Sequence, residues 1–599
     1  MENRKFFIRT FVILIGILFL VKLFNIQVIS KSYKLAAENN IVQRIIEYPY
    51  RGLIYDRNRQ LLVVNDPIYD LMIVPKEVQV SDTADFCAMM KIDKATFMQK
   101  YNEARKYSLI KPSVFQKQLS NDEFAAIQDR LIDFRGFYIV ARSVREYPYS
   151  TLANALGYIG EISKRQLDSD TTKYYRMGDY IGISGIEERY EKSLRGHRGV
   201  KYKMVNVRGV EKGSFLDGQH DTLSSPGEDL ISSIDLGLQE YAEDLLGGKV
   251  GSLVAIEPAT GEILSIVSSP SYDPNILSGR NFPSNFQKLQ SDTLVPLFNR
   301  PIMAMYPPGS MFKTVQALVA MQERVISPTE LVYCDGSLIG DLAPPGYYDI
   351  TEGITYSSNN FFFRVFRRII NQNRDPNTFI DSRIGLEKWR QYLSKFNLGH
   401  VPVIDLPNPK GGFIPGVDYY DRYYGRNRWK FSNIYSLSIG QGETLVTPLQ
   451  MANLAAIIAN RGHYYDPHII KSIGNTGLPE ERFRTKHDVG IDSVFYKYVI
   501  NGMEQVIRIG SGRRAFIEDI AVCGKTSTAE NPHGEDHSGF VAFAPKDNPR
   551  IAIAVYVENA GWGGRAAASI GSLVIEKYLR GEITRPWLEE YVLKGEFIY

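Results

Sequence analysis

The stretch Pro307 to Glu323, PPGSMFKTVQALVAMQE, holds the first pair of residues whose spacing could do chemistry. Two prolines and a glycine end the preceding segment and a helical pattern starts at once, so Ser310 and Lys313 share one face of a first turn. A serine hydroxyl is a poor nucleophile until a neighbour takes its proton, and a desolvated lysine can hold the neutral amine that does so. A helix N-terminus adds free N–H groups and a positive dipole end, suited to a developing oxyanion. Phe312, Val315 and Val319 bury the opposite face. Further on, TYSSNNFFFRVFRRI places Ser357 and Asn359 ahead of an aromatic-rich helix, where a hydroxyl could pass protons and an amide could hold a substrate carbonyl. A third set, Lys525, Thr526 and Ser527 in CGKTSTAE, lies on a strand before the polar turn ENPHGEDHS. Each set alone also fits an ordinary role: a chance Ser-x-x-Lys, a helix N-cap, a strand edge with solvated hydroxyls.

Gly524-Lys525-Thr526 also suggests a phosphate-cradling loop. Such a loop needs a glycine five residues before Gly524, and Asp519 stands there, a carboxylate that repels phosphate. Ile520 to Cys523 form an extended apolar run, so the stretch reads as a strand and not as a nucleotide site.

The elements that must position these residues are legible in outline. GSLVAIEPATGEILSIVSS (Gly251 to Ser269) predicts a hairpin turning at Pro258 to Gly261. SGFVAFAPKDNPRIAIAVYVEN (Ser538 to Asn559) predicts a second, with Ile551, Ile553, Val555 and Val557 alternating along its last strand. Strands at both ends with helices between predict an α+β domain whose sheet closes by pairing segments ~280 residues apart. A boundary is expected near Ser224 to Asp235, a polar Gly/Pro turn. Before it, Tyr50 to Asn65 reads as strand, turn, strand; Ser120 to Arg130 as an N-capped helix; and Gly182 to Gly196 as a helix with Ile186, Tyr190 and Leu194 on one face.

The 599 residues carry 70 basic and 67 acidic side chains, net +3, which gives no electrostatic case for nucleic acid. Cys87, Cys334 and Cys523 lie far apart and form neither a disulfide framework nor a metal knuckle. At the N-terminus, Arg4, Lys5 and Arg9 precede FVILIGILFLV, Lys22 and LFNIQVI. As one helix from Phe6 to Ile29 the segment spans ~36 Å, enough for a bilayer. No small-residue cleavage site follows, so a retained transmembrane anchor is expected. Lys22, Lys31 and Lys34 nearly balance the N-terminal charges and leave the orientation open.

Taken in this order, Ser-x-x-Lys, Ser-x-Asn and Lys-Thr-(Gly/Ser) resemble the active-site set of the penicillin-binding and serine β-lactamase superfamily. YRGLIYDRN, GISGIEERYEKSLRG, YPPGSMFK, SSNNFFF, SIGQGETLVTPLQMA and GFVAFAPKDNPRIAIAVYVEN all look like class B penicillin-binding proteins. The similarity runs from the anchor to about Arg580 and is greatest to the elongation transpeptidases, the penicillin-binding protein 2 group. It implies a cytoplasmic stub and transmembrane helix over residues 1–30. An elongated mixed pedestal of the dimerisation type would follow over 31–225, then a transpeptidase domain with a helix-flanked antiparallel sheet over 226–581, and a tail over 582–599.

The same resemblance implies that Ser310 attacks the penultimate D-Ala carbonyl of a peptidoglycan stem peptide, with Lys313 as general base. Ser357 and Lys525 would form the proton route to the leaving amine. Asn359, Lys525, Thr526, Ser527 and Thr528 would bind substrate, and the N–H groups of Ser310 and Thr528 would make the oxyanion hole. An amine of a second strand then resolves the acyl-enzyme, which places the catalytic domain in the periplasm of an inner-membrane, single-pass protein. Implied partners are the D-Ala-D-Ala donor and amine acceptor peptides, β-lactams, a RodA-type membrane glycosyltransferase and scaffold proteins such as MreC. A β-lactam sensor or hydrolase of the same fold and a non-enzymatic cell-wall scaffold are the alternatives. No cofactor is expected. Cys334, Asp335, Asp341 and Asp349 lack a nearby histidine and make a poor zinc set, so no metal is expected either. Two further departures stand out: Ser527 where the family usually has glycine, expected to narrow the cleft, and Ser569 where it often has proline.

Overall fold

The apolar strands at the two ends of residues 251–557 meet in one five-stranded antiparallel sheet. Its strands are β1 (Gly251–Ile256), β2 (Ile263–Ser269), β3 (Cys523–Ala529), β4 (His537–Ala544) and β5 (Ile551–Val557), in the order β2-β1-β5-β4-β3. The two predicted hairpins are β1-β2 and β4-β5. They are joined where Gly251 faces Val557 and Ile256 faces Ala552. Every residue of β1, β2 and β5 is buried, so both faces of the sheet are covered.

The helices are α1 (Leu236–Leu246), α2 (Lys313–Gln322), α3 (Asn359–Ile370), α4 (Pro448–Ala459), α5 (Ser493–Arg508) and α6 (Ala567–Arg580); α1, α4, α5 and α6 pack on the sheet, while α2 lies against α5 and α3 against α2. α6 reaches the sheet because Gly571 has no side chain: a Cβ there would lie 2.8 Å from the Phe540 ring. The next-door residue Gly539 points the other way, and a Cβ on it would lie 3.2 Å from Met311 in the segment that carries Ser310. The sheet therefore separates α6 from the candidate nucleophile. Ser569 sits in the first turn of α6 and donates to the Arg565 carbonyl at 2.6 Å.

The computed structural model describes residues 2–25, 42–78, 83–205, 211–474, 476–595 and 597. Contacts divide the chain into two units that do not follow chain order: 53–194 with 229–599, and 1–52 with 195–228. Within the first, a mixed sheet runs Ile470–Ile473, Leu230–Ser232, Ile54–Tyr55, Leu61–Ile73 and Ser113–Leu119, with Phe137–Glu146 also on Leu61–Ile73. An aromatic cluster of Phe86, Phe97, Phe115 and Phe137 packs beside it. Ser120 forms a reciprocal capping box with Glu123 at the start of Asn121–Ile127. The helix expected over 182–196 is broken into Gly185–Arg189 and Glu191–Leu194, although Ile186, Tyr190 and Leu194 are all buried. The break falls at Tyr190, whose hydroxyl donates to the buried Asp405 carboxylate at 3.1 Å. A tertiary bond overrides local helix propensity there.

The second unit contains an antiparallel sheet in the order Val42–Glu47, Gly199–Val205, Glu211–Ser214. It also contains a helix, Glu2–Phe24. Among the described residues no helix is long and apolar enough to cross a membrane. The span expected to Ile29 runs past Asn25 into residues outside the described set. Large apolar side chains on this helix, Phe11, Ile13, Leu18 and Leu20 among them, are exposed.

Phe540 is completely buried between Gly524 and Gly571, either of which would bring a Cβ within 2.8 Å of its ring. Phe540→Ala should destabilise the part that contains the five-stranded sheet by about 3–5 kcal/mol, measured by denaturant unfolding; a loss under about 1 kcal/mol would contradict this packing.

Candidate active site

Three segments converge, each held by its own element. The first is a 3-10 turn, Gly309–Phe312, which runs directly into α2. The predicted single helix start is thus two steps, with Ser310 in the tighter turn and Lys313 opening the α-helix. Pro307 and Pro308 feed the turn, and Gly309 adopts φ +53 with its N–H bonded to the Gly440 carbonyl at 2.9 Å. Phe312 is buried edge-on against Trp389, whose indole donates to Gln316 at 2.8 Å. Ser310 stays half-buried while Lys313 is completely enclosed.

The second segment is the loop before α3. Ser358, not Ser357, caps that helix by accepting from the Phe361 N–H at 3.1 Å. This frees the Ser357 hydroxyl, and Ser357 takes φ +57, a conformation that costs a non-glycine residue energy and is held here by its neighbours. Those neighbours come from a loop that sequence reading weighed only as a metal site. Asp341 accepts from the Ser358 hydroxyl at 2.7 Å and the Asn360 N–H at 2.8 Å. The Gly340 carbonyl accepts from the Asn359 amide at 2.7 Å, and the Ile339 carbonyl from the Asn360 amide at 2.8 Å. Among the described residues no group of three or more His, Cys, Asp or Glu side chains is placed to hold a metal ion.

The third segment is β3, the outermost strand, so alternate backbone N–H groups face away from the sheet. Its side chains divide between two sides. Lys525 and Ser527 turn toward the first two segments: Lys525 donates to Ser357 Oγ at 2.8 Å and Ser527 to the Pro308 carbonyl at 2.7 Å. Ser527 is 1% exposed, committed to the turn behind the cleft and not narrowing its mouth. Thr526 shares a hydrogen bond with the Ser511 hydroxyl, and Thr528 accepts from the Gly563 N–H at 3.2 Å. Ser511 and Gly563 were missed in sequence; a Gly-Ser-Gly turn after α5 and a Gly-Trp-Gly-Gly run after β5 were the available signals.

At the junction, Lys313 donates to the Ser357 carbonyl and to Asn359 Oδ1, both at 2.6 Å, and lies 3.3 Å from Ser357 Oγ. One serine hydroxyl therefore sits between two lysines, both 0% exposed. Burial pulls the Lys313 pKa down to about 7, with Asp341 opposing the shift. Burial and then the neighbouring Lys313 charge take Lys525 well below the usual lysine range. Two ammonium groups without water around them cannot both stay charged at low cost, so the site holds an amine able to accept a proton near neutral pH. Lys313, Ser357, Asn359 and Lys525 are joined by hydrogen bonds, and Ser310 stands one turn ahead of Lys313 in the same segment; Thr526 and Thr528 lie on the other side of β3.

Residues 251–576 match the penicillin binding protein transpeptidase domain model, and residues 46–232 match the penicillin-binding protein dimerisation domain model. The peptidoglycan D,D-transpeptidase MrdA of Haemophilus influenzae is 28% identical over 98% of this chain and 94% of its own. A structure of Pseudomonas aeruginosa PBP2 in complex with WCK 5153 superposes with a TM-score of 0.65 at 26% identity, covering 90% of this chain and 97% of that one. Helicobacter pylori PBP2, solved as a complex with MreC, covers 90% of this chain and 100% of its own with a TM-score of 0.74; at 24% identity it speaks for the fold alone.

The lysine shift has a sign that stability can report. Below about pH 7 Lys313 is protonated in both states and its burial cost is fully present. Between about 7 and the unfolded value of 10.5 the folded state binds fewer protons, so stability contributed by this group rises with pH. The difference in unfolding free energy between wild type and Lys313→Met should therefore shift toward wild type from pH 7 to pH 10; a flat difference would show that Lys313 titrates normally.

Proposed function

We propose, from the premise that this chain belongs to the penicillin binding protein transpeptidase family, that it is a peptidoglycan D,D-transpeptidase acting through an acyl-serine intermediate. The observation that carries this reading is the pair of enclosed lysines, Lys313 and Lys525, on one Ser357 hydroxyl, with Ser310 one turn ahead of Lys313. Relatives named peptidoglycan D,D-transpeptidase over nearly full length support it.

In the first half-reaction Ser310 Oγ bonds to the penultimate D-Ala carbonyl carbon while neutral Lys313 takes the hydroxyl proton. The negative charge on the carbonyl oxygen is met by the N–H groups of Ser310 and Thr528, an effect worth ~10²–10³ in rate per donor. Collapse breaks the C–N bond to the terminal D-Ala, whose amine receives the proton through Ser357 and Lys525. In the second half-reaction an amine of a neighbouring stem peptide attacks the ester carbonyl. It loses a proton to the same relay, and Ser310 Oγ leaves as a hydroxyl. Asn359 orients the peptide, and Lys525, on the side of β3 that faces Ser357, attracts the terminal carboxylate. β-Lactams would acylate Ser310 by the same route.

The catalytic role is assigned to residues 226–581, with 31–225 as pedestal and 1–30 as an inner-membrane anchor. The exposed apolar side chains of Glu2–Phe24 support the anchor, since water is a poor solvent for them. A cross-linking substrate puts the catalytic part in the periplasm, working in cell-wall elongation beside a RodA-type glycosyltransferase and a scaffold such as MreC.

Intact-mass measurement after exposure to a penicillin should show a stable adduct on wild type and none on Ser310→Ala. An adduct on the Ala variant would refute Ser310 as nucleophile, a rapid return to free mass would favour a hydrolase, and no shift in wild type would favour a scaffold. The rate of adduct formation should rise with pH through about 7, as Lys313 loses its proton. A rate that is flat across that range would remove Lys313 as the base.

A further inference from the structure

Ser527 fills the space between the central sheet and the turn that carries Ser310. Its hydroxyl crosses to the Pro308 carbonyl at 2.7 Å, joining segments 219 residues apart. Gly309 makes room for it: a Cβ at that position would fall 2.3 Å from Ser527 Oγ and 3.2 Å from the Thr528 carbonyl. Gly539 makes room on the neighbouring strand, where a Cβ would lie 3.2 Å from Ser527 Cβ. Two glycines thus frame one hydroxyl that has no access to water. The covalent connections matter as much as the packing. Thr528 N is bonded to the carbonyl carbon of Ser527, and Ser310 N lies one peptide beyond the Pro308 carbonyl.

We infer that Ser527 is a positioning residue: its hydrogen bond to Pro308 sets the separation between the Ser310 and Thr528 N–H groups that share the reacting oxyanion. The inference rests on the acyl-transfer reading above. An oxyanion hole loses effect when its two donors are not held where the charge develops, because the interaction is directional and the site does not reorganise. Without the Ser527 hydroxyl the Pro308 carbonyl is left inside the fold without that donor, and the turn is free to drift from β3. A glycine at this position would provide no such strut, so this chain holds the two halves of the hole together by a side chain.

Stopped-flow acylation with a fluorescent penicillin separates the non-covalent dissociation constant from the first-order acylation constant. For Ser527→Ala and Ser527→Gly the acylation constant should fall roughly ten- to a hundredfold while the dissociation constant is unchanged. Deacylation should slow in parallel, since it passes through the same oxyanion. Ser527→Cys, which keeps the volume with a weaker donor, should fall between wild type and Ala, and it serves if either smaller variant fails to fold. Wild-type acylation constants in the variants would overturn the inference, as would a loss confined to the dissociation constant, which is what a cleft-lining side chain would give. A wild type that is never acylated would instead overturn the acyl-transfer reading itself.

Discussion

The catalytic part is arranged around two lysines, both out of contact with water, that share the hydroxyl of the half-buried Ser357. An ammonium group in such a place is costly, and the protein reduces that cost by letting the pair hold fewer than two protons. That constraint explains why the surroundings are so firmly built. α2 is buried on every side from Lys313 to Met321, Ser357 is held in a left-handed backbone conformation, and β3 is sealed except at Thr528. Loosening any of the three would admit water, restore the lysines to their ordinary range and remove the proton acceptor.

The supports differ in kind. Behind Ser310 is a packed aromatic wall of Phe312 and Trp389, with Gln316 satisfying the indole. Behind Ser357 is a polar splint from residues 339–341, in which one carboxylate and two carbonyls meet the donors of residues 358–360. Asp341 serves twice, since its charge also moderates the shift at Lys313. Behind β3 are the sheet itself and the loop at Gly563.

Much of this was legible in the chain because motif spacing encodes it. Ser310, Lys313, Ser357, Asn359 and Lys525 are chemically informative residue types at telling intervals, and the two hairpins announce themselves by turn residues and apolar runs. Helix capping was legible to within one residue, with Ser358 taking the place next to Ser357. What was not legible lies in contacts between segments whose local sequence is unremarkable in composition. Asp341 reaches Ser358 across a loop, Ser511 reaches Thr526 from another element, and the direction of the Ser527 side chain depends on a glycine 218 positions earlier in the chain that only the fold brings near. The broken helix at Tyr190 is the same lesson: the bond to Asp405 decides the backbone, and nothing within 182–196 shows it.

The pairing of β1 with β5 carries a consequence for how the protein is made. β1 leaves the ribosome roughly 300 residues before the strand that will flank it, and at ordinary elongation rates that interval is about 15–60 s. Throughout it the β1-β2 hairpin is an unpaired apolar edge, the kind of surface that templates aggregation. Contacts this distant also slow folding, because a long loop must be closed before any pairing rewards it. The emerging chain therefore spends about half of its synthesis with that edge uncovered, and truncation anywhere before β5 leaves a sheet that cannot close.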